Sequence, residues 1–241
     1  MRTHARELVA FLAIALSAGC CVSHAPSPKR DAAPPWHSAS TEAARDLVAK
    51  TVALLDSDGD VTCSGVWVSG SEILTANHCV ADLAVGDKTS YVVRDDVSAA
   101  DSDEIEARRS GRLVARDLVH DLALVRVKLA PAHSVAPVLA GDPVAGEAVA
   151  TMGHPLAVLV WSYSSGVVAA VRRFAPGDDV EQWWVQSTAP ISPGNSGGGL
   201  FNSRGELVGI CHASARGAQN LNLYIHITYV RDFLAINLKG A

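Results

Sequence analysis

From about Lys50 onward, apolar and polar residues alternate in short runs separated by Gly, Asp and Asn turns. Alternation with period two marks strands with one face buried. It predicts strands at Thr51–Leu55, Val61–Val68, Tyr91–Arg94, Arg112–Arg116 and Leu122–Val127, then at Ala148–Met152, Ser165–Arg173, Gln182–Ser187, Leu207–His212 and Leu221–Ile227. No helical pattern separates them, so the class is all-β, a barrel or a sandwich. A turn-rich bridge, Pro131–Pro143, divides the strands into two halves of similar length, with no sequence repeat between them. Near the end Val230, Phe233, Leu234 and Leu238 follow the i, i+3, i+4, i+8 spacing of a helix.

The first part of the chain follows another pattern. Arg2 and Arg6 precede the apolar run Leu8–Ala18 and the small residues Ser17-Ala18-Gly19-Cys20. A basic start, a short apolar run and a small-residue end describe an export signal over residues 1–19, and the run is too short for a membrane span. Ser17-Ala18-Gly19-Cys20 resembles the lipobox of bacterial lipoproteins, which makes Cys20 a candidate lipidation site and the only route to a membrane. Ser17 stands where Leu is commoner, and an ordinary Cys20-Cys21 pair is the alternative. Residues 20–45, rich in Pro, Ala and Ser, read as a linker. The remainder, 46–237, is one domain with halves at about 46–135 and 136–237.

Composition narrows the function. The 241 residues are 49% hydrophobic and 19% charged, which excludes a disordered chain. A net charge of −5 without a long basic run removes the electrostatic footprint of a nucleic-acid binder. Aromatics are only 5%, so Val, Leu, Ile and Ala must fill the core. Five cysteines are too few for a disulfide scaffold. Asp56-Ser57-Asp58-Gly59-Asp60 hints at a calcium loop, but its Gly is two places early and Trp67 stands where the bidentate Glu belongs, so a hairpin turn fits better. His120, His133 and His154 lack metal-ligand spacing, and no metal or cofactor is implied.

Three stretches carry chemistry: Thr75-Ala76-Asn77-His78-Cys79, His120-Asp121-Leu122-Ala123-Leu124 and Pro193-Gly194-Asn195-Ser196-Gly197-Gly198-Gly199. Each alone has a structural explanation. Together, in the order His, Asp, Ser, they resemble the chymotrypsin-like (trypsin-fold) serine peptidases, within them the bacterial HtrA-like branch. Thr75–Cys79 resembles T-A-A-H-C, Asp121–Leu124 resembles D-I-A-L, and Ala189–Leu200 is similar to A-I-N-P-G-N-S-G-G-P-L. Gly153-His154-Pro155-Leu156 and Ser165-Gly166-Val167-Val168 are similar to G-N-P-x and S-G-I-V. The resemblance spans about Thr51 to Leu238 and implies two six-stranded antiparallel β-barrels with a C-terminal helix and a site between the barrels.

The resemblance also implies roles. Ser196 is the expected nucleophile, His78 the general acid–base and Asp121 the group that orients the imidazole. A serine hydroxyl needs such a base, and an imidazole can take and return a proton near neutrality. Asp121 is preferred over Asp117 because it starts the apolar run. The N–H groups of Gly194 and Ser196 are the expected oxyanion hole. The resemblance further implies a Cys63–Cys79 disulfide bracing the His loop. Cys211 is left as a buried thiol, with a place in the specificity pocket as the alternative.

Specificity follows from departures. Asn195 replaces the Asp that orders the pocket of digestive proteases, so that mode of zymogen activation is not expected. Ile191 and Pro190 stand at the pocket base without charge, and Ile191, Cys211, His212 and Ala213 are candidate substrate-binding residues. Glutamyl endopeptidases place a His after Gly-Ile, whereas here the order is Gly209-Ile210-Cys211-His212. One residue of slip points a side chain to the other face of a strand. Small or medium apolar P1 residues are therefore expected, although His226 is a second imidazole that could reach the pocket. Gly199 replaces the branch's Pro and is expected to loosen the segment after the nucleophile. No PDZ domain, and hence no PDZ-gated regulation, is expected. The expected partners are protein or peptide substrates, and the oligomeric state is not legible. The rival readings are a catalytically silent binding module on the same fold and a structural lipoprotein.

Overall fold

The computed structural model describes residues 38–93, 108–157, 159–175, 180–214 and 221–238. All of them lie in one compact unit, Trp36–Ala241. The export signal and Cys20 fall outside the described residues. Among those described, no helix is long and apolar enough to cross a membrane.

The chain enters through helix α1 (Ser38–Lys50) and passes directly into β1 (Thr51–Leu55). Barrel 1 continues with β2 (Val61–Trp67), β3 (Glu72–Ala76), β4 (Lys88–Val92), β5 (Arg109–Asp117) and β6 (Leu122–Arg126). Barrel 2 is built from β7 (Ala148–Gly153), β8 (Ser162–Phe174), β9 (Gln182–Ser187), β10 (Gly199–Asn202), β11 (Leu207–Ser214) and β12 (Asn222–His226). Helix α2 (Ile227–Asn237) follows without a break. Barrel 1 closes in the order β1-β2-β3-β6-β5-β4 and barrel 2 in the order β10-β11-β12-β9-β8-β7. Numbered within each barrel, the two rings are identical. The halves thus repeat in topology although not in sequence.

Ten of the twelve strands overlap the stretches that the sequence pattern predicts. The other two, β3 and β10, are short and buried at every position, as β1 and β12 also are. The linker reading of residues 20–45 needs correction at its end, because residues 38–45 already belong to α1. Ala44, Leu47 and Val48 give that helix one apolar face, which packs into the inter-barrel core. The Thr51 hydroxyl donates to the Leu47 carbonyl at 2.8 Å and closes the last turn.

Three of the four apolar clusters among the described residues fill and join the barrels. Barrel 1 is filled by Val52, Leu54, Trp67, Ile73, Leu113 and Val125 among others, and barrel 2 by Val149, Val185, Leu200, Val208 and Tyr224. The third joins the barrels. Val66, Leu74, Leu122 and Leu124 meet Met152, Trp184, Ile210 and Ile225, with α1 and α2 packed on it. Each such side chain contributes about 1.5–3 kcal/mol on full burial. The seam is therefore as apolar as the barrels it joins.

Gly199 is not a slack point. It is paired with Ile210 in the ladder, and its carbonyl accepts from Thr151 Oγ1 at 2.8 Å. A Cβ there would lie 2.4 Å from the Phe201 ring. The Asp56–Asp60 segment is a turn, in which Asp56 Oδ1 accepts from the N–H groups of Asp58, Gly59 and Asp60.

A disulfide joins Cys63 on β2 to Cys79, just after β3, across a separation of 16 residues. Restricting a loop of that length stabilises the fold by about 3 kcal/mol. The double variant Cys63→Ala/Cys79→Ala is expected to unfold at a correspondingly lower urea midpoint. An unchanged midpoint would show that the bridge adds nothing.

Candidate active site at the seam between the barrels

His78 sits in a 3-10 turn, Asn77–Val80, that continues directly from β3. Asp121 is the residue before β6, which pairs with β3 through Ala76 and Leu122. This pairing brings the two side chains together. Asp121 Oδ1 accepts from the His78 backbone N–H at 2.8 Å, and Oδ2 accepts from His78 Nδ1 at 2.7 Å. The Asp121 carbonyl also takes the Asn77 N–H at 2.9 Å. Asp121 holds a positive φ of 54°, a conformation Asp tolerates better than most residues. Asp117 serves a different purpose. It accepts from the Val119 and His120 N–H groups and from His120 Nδ1, and that ring stacks on Tyr229.

Ser196 lies in the turn that leads into β10. Gly194 and Gly197 take positive φ values of 100° and 82°. A Cβ on Gly197 would lie 2.1 Å from Thr75 Oγ1 and 2.3 Å from the Ser64 carbonyl, so only glycine fits against barrel 1 here. The turn is stitched across the seam. The Ser64 N–H donates to the Ser196 carbonyl at 2.8 Å, and Gly197 N–H to the Cys211 carbonyl at 2.8 Å. Ser64 Oγ donates to the Gly194 carbonyl at 2.8 Å and accepts from His154 Nδ1 at 2.9 Å. The N–H groups of Gly194 and Ser196 find no acceptor among the described residues. They are free for an anion. The Ser196 hydroxyl donates to the His212 carbonyl at 3.3 Å and makes no hydrogen bond to His78. Nucleophile–base hydrogen bonds are often long or open without substrate.

A second imidazole reaches Asp121. His212 Nδ1 lies 2.7 Å from Asp121 Oδ2, the oxygen that also receives His78 Nδ1. The two rings stand edge to face, 5.7 Å apart. Burial acts to raise the Asp121 pKa, but the hydrogen bonds from His212 and His78 and the charge of the two rings outweigh it. The carboxyl is held well below its ordinary range.

The residues read as substrate-binding diverge. Ile191 packs on the barrel 2 core. Cys211 points into that core, and burial drives its thiol pKa far up, so it is an inert structural thiol. His212 turns to Asp121, and Ala213 is exposed. Asn222 Nδ2 donates to the carbonyls of Ala189 and Ser187 at 2.8 and 3.3 Å. His226 does not turn toward these residues. Its Nδ1 accepts from the Thr228 N–H at 3.2 Å and caps α2. Two side-chain groups bring His, Cys and Asp atoms close enough for a metal: His78, Asp121 and His212, and Cys63, His78 and Cys79. In the first, both ring nitrogens already donate to the carboxylate. In the second, the sulfurs form a disulfide and offer no thiolate.

The sequence did not single out Arg116 or Ser64, nor the full burial of His154. Arg116 Nε donates to Asn77 Oδ1 at 2.7 Å and its guanidinium to the Leu83 carbonyl at 2.5 Å, bracing both ends of the His78 segment. An arginine one residue from Asp117 was the available signal. Ser64 carries none, being one polar residue in a buried strand. His154 is wholly buried with Nε2 unpartnered, and desolvation lowers its pKa to about 3.

The His154 environment predicts an acid limit on stability. Between the unfolded value near 6.5 and the folded value, the unfolded chain binds a proton that the folded one does not. Stability then falls with falling pH by as much as about 1.4 kcal/mol per unit. His154→Asn is expected to flatten the urea midpoint between pH 6 and pH 4 relative to wild type. Parallel curves would count against this origin.

Residues 63–210 match the family model described as trypsin-like peptidase domain. The chain is 37% identical over 128 residues to "Serine endoprotease DegS" of Haemophilus influenzae, covering 51% of this chain and 37% of that protein. It is 36% identical over 138 residues to "Probable periplasmic serine endoprotease DegP-like" of Ectopseudomonas mendocina, covering 57% of this chain and 26% of the relative. The chain thus spans well under half the length of these relatives. The crystal structure of the serine endoprotease from Yersinia pestis superposes with a TM-score of 0.66 at 22% identity, over 84% of this chain and 67% of that one. That likeness shows the shared fold. With the family model covering more than half of its length, the chain belongs to the trypsin-like peptidase family.

Proposed function

We propose that the chain is a serine endopeptidase that cuts protein or peptide substrates through Ser196, His78 and Asp121. The observation that carries this reading is the His78 ring bonded to Asp121 at 2.7 Å, across from a turn whose Gly194 and Ser196 N–H groups are both free. Because ionised Asp121 can only accept, it keeps the proton of neutral His78 on Nδ1 and leaves Nε2 as the base. On substrate binding, Ser196 Oγ rotates from the His212 carbonyl toward Nε2 and gives up its proton there while attacking the scissile carbonyl carbon. The resulting oxyanion accepts from Gly194 and Ser196 N–H. His78 then protonates the leaving amine, and the acyl-enzyme remains. Water, deprotonated by the same nitrogen, releases the acid and regenerates the serine. Each oxyanion donor is worth about 2.7–4 kcal/mol of barrier.

For the P1 side chain we propose a small or medium apolar group. Ile191 carries no charge, and Asn222 spends its amide on two carbonyls. The displaced His212 is engaged by Asp121. The reading of residues 1–19 as an export signal agrees with the word periplasmic in relatives' names, and we place the protein in the bacterial cell envelope on that basis.

A fluorophosphonate probe should label wild type and not Ser196→Ala. Ser196→Ala should lower kcat by on the order of 10⁶, as loss of the nucleophile does in subtilisin. An unlabelled folded wild type would leave the silent binding module as the better reading. A peptide library should return Val or Ala at P1. Profiles dominated by Glu, Lys or Arg would overturn the pocket assignment.

A further inference from the structure

Within this peptidase reading, we infer that His212 is a positioning residue, a second imidazole that shares the Asp121 carboxylate with the catalytic base and competes with it for a proton. The backbone supplies the placement. β11 pairs with β12 through Cys211 and Tyr224 and next through Ala213 and Leu223, a register shift that leaves His212 opposite no residue. A bulge of this kind re-aims one side chain out of the alternation. Cys211 before it enters the barrel 2 core, whereas His212 crosses the seam to barrel 1 and meets Asp121 Oδ2 at 2.7 Å. The Trp184 ring, 4.8 Å away on β9, backs the imidazole, and the His212 carbonyl takes the Ser196 hydroxyl. The same residue therefore touches the nucleophile through its backbone and the orienting carboxylate through its ring.

The consequence is a coupled titration. Asp121 is ionised, so each neutral ring presents Nδ1–H to the same oxygen. The titratable groups facing His212 among the described residues are Asp121 and His78. The carboxylate holds one negative charge. A first proton on either ring is balanced by that charge, whereas a second meets an imidazolium already paired with it. The two histidines then share two macroscopic steps rather than each owning one. A neutral His212 also draws on Oδ2, which leaves less of the carboxylate for the His78 imidazolium formed during catalysis.

Imidazole ¹⁵N NMR of the Ser196→Ala protein across pH tests this. His78 and His212 should move through the same two midpoints. In Ser196→Ala/His212→Asn, whose amide N–H can replace the Nδ1 donor but cannot ionise, His78 should show one midpoint. A single His78 midpoint in both proteins, unmoved between them, would overturn the inference. In kinetics, His212→Ala should shift the acid limb of kcat/KM upward by about half a pH unit. It should lower kcat by about tenfold with KM unchanged, because Asp121 loses an orienting donor. His212→Asn should recover most of kcat. A raised KM with kcat intact would place His212 in substrate binding instead and likewise overturn the role. If wild type takes no fluorophosphonate at any pH, the peptidase reading falls, while the NMR midpoints still decide whether the carboxylate is shared.

Discussion

One partly buried carboxylate links the two barrels through hydrogen bonds. Asp121 receives the backbone N–H and the ring N–H of His78 from its own barrel and the ring N–H of His212 from the other. Removing a charge from water is costly unless charge-assisted hydrogen bonds replace the lost hydration. Three N–H donors supply them, and the one from His212 acts only if the barrels stay in register with each other. The apolar cluster of Val66, Leu74, Leu122 and Leu124 against Met152, Trp184, Ile210 and Ile225 provides that register. Packing energy in the seam thus sets the geometry of a polar site that could not hold itself.

The serine turn depends on the same seam. Its two carbonyls are held by Ser64, a residue of β2 in the opposite barrel, through backbone to Ser196 and through side chain to Gly194. Pinning the Gly194 carbonyl fixes the peptide plane between Gly194 and Asn195. His154 completes the chain from barrel 2 by donating to Ser64 Oγ. The Cys63–Cys79 disulfide ties the start of β2 to the turn carrying His78. The close approach of the serine turn to barrel 1 is why glycine alone is tolerated at position 197, where a Cβ would strike Thr75 and Ser64.

Much of this was legible in the sequence because the relevant constraints are local. Alternation revealed ten strands, and the residues around His78, Asp121 and Ser196 are contiguous motifs with fixed turns. The parts that stayed hidden depend on long-range burial. β3 and β10 are short, five and four residues, and buried at every position, so each offers only a brief apolar run with no polar face. Helix α1 hid in a stretch whose composition reads as linker, because its helical face is defined only by the core it covers. His154 and Ser64 act through each other across 90 residues of sequence, and no spacing rule reaches that far.

His212 shows how a strand argument can be right in direction and incomplete in outcome. Alternation along β11 separates Cys211 and His212 onto opposite faces, and Cys211 does enter the barrel core. A regular strand would next return Ala213 to the core side. The register shift interrupts this, so Ala213 is exposed and His212 lies outside the pairing altogether. A bulge costs one ladder pairing, and what it delivers here is a third N–H donor to Asp121.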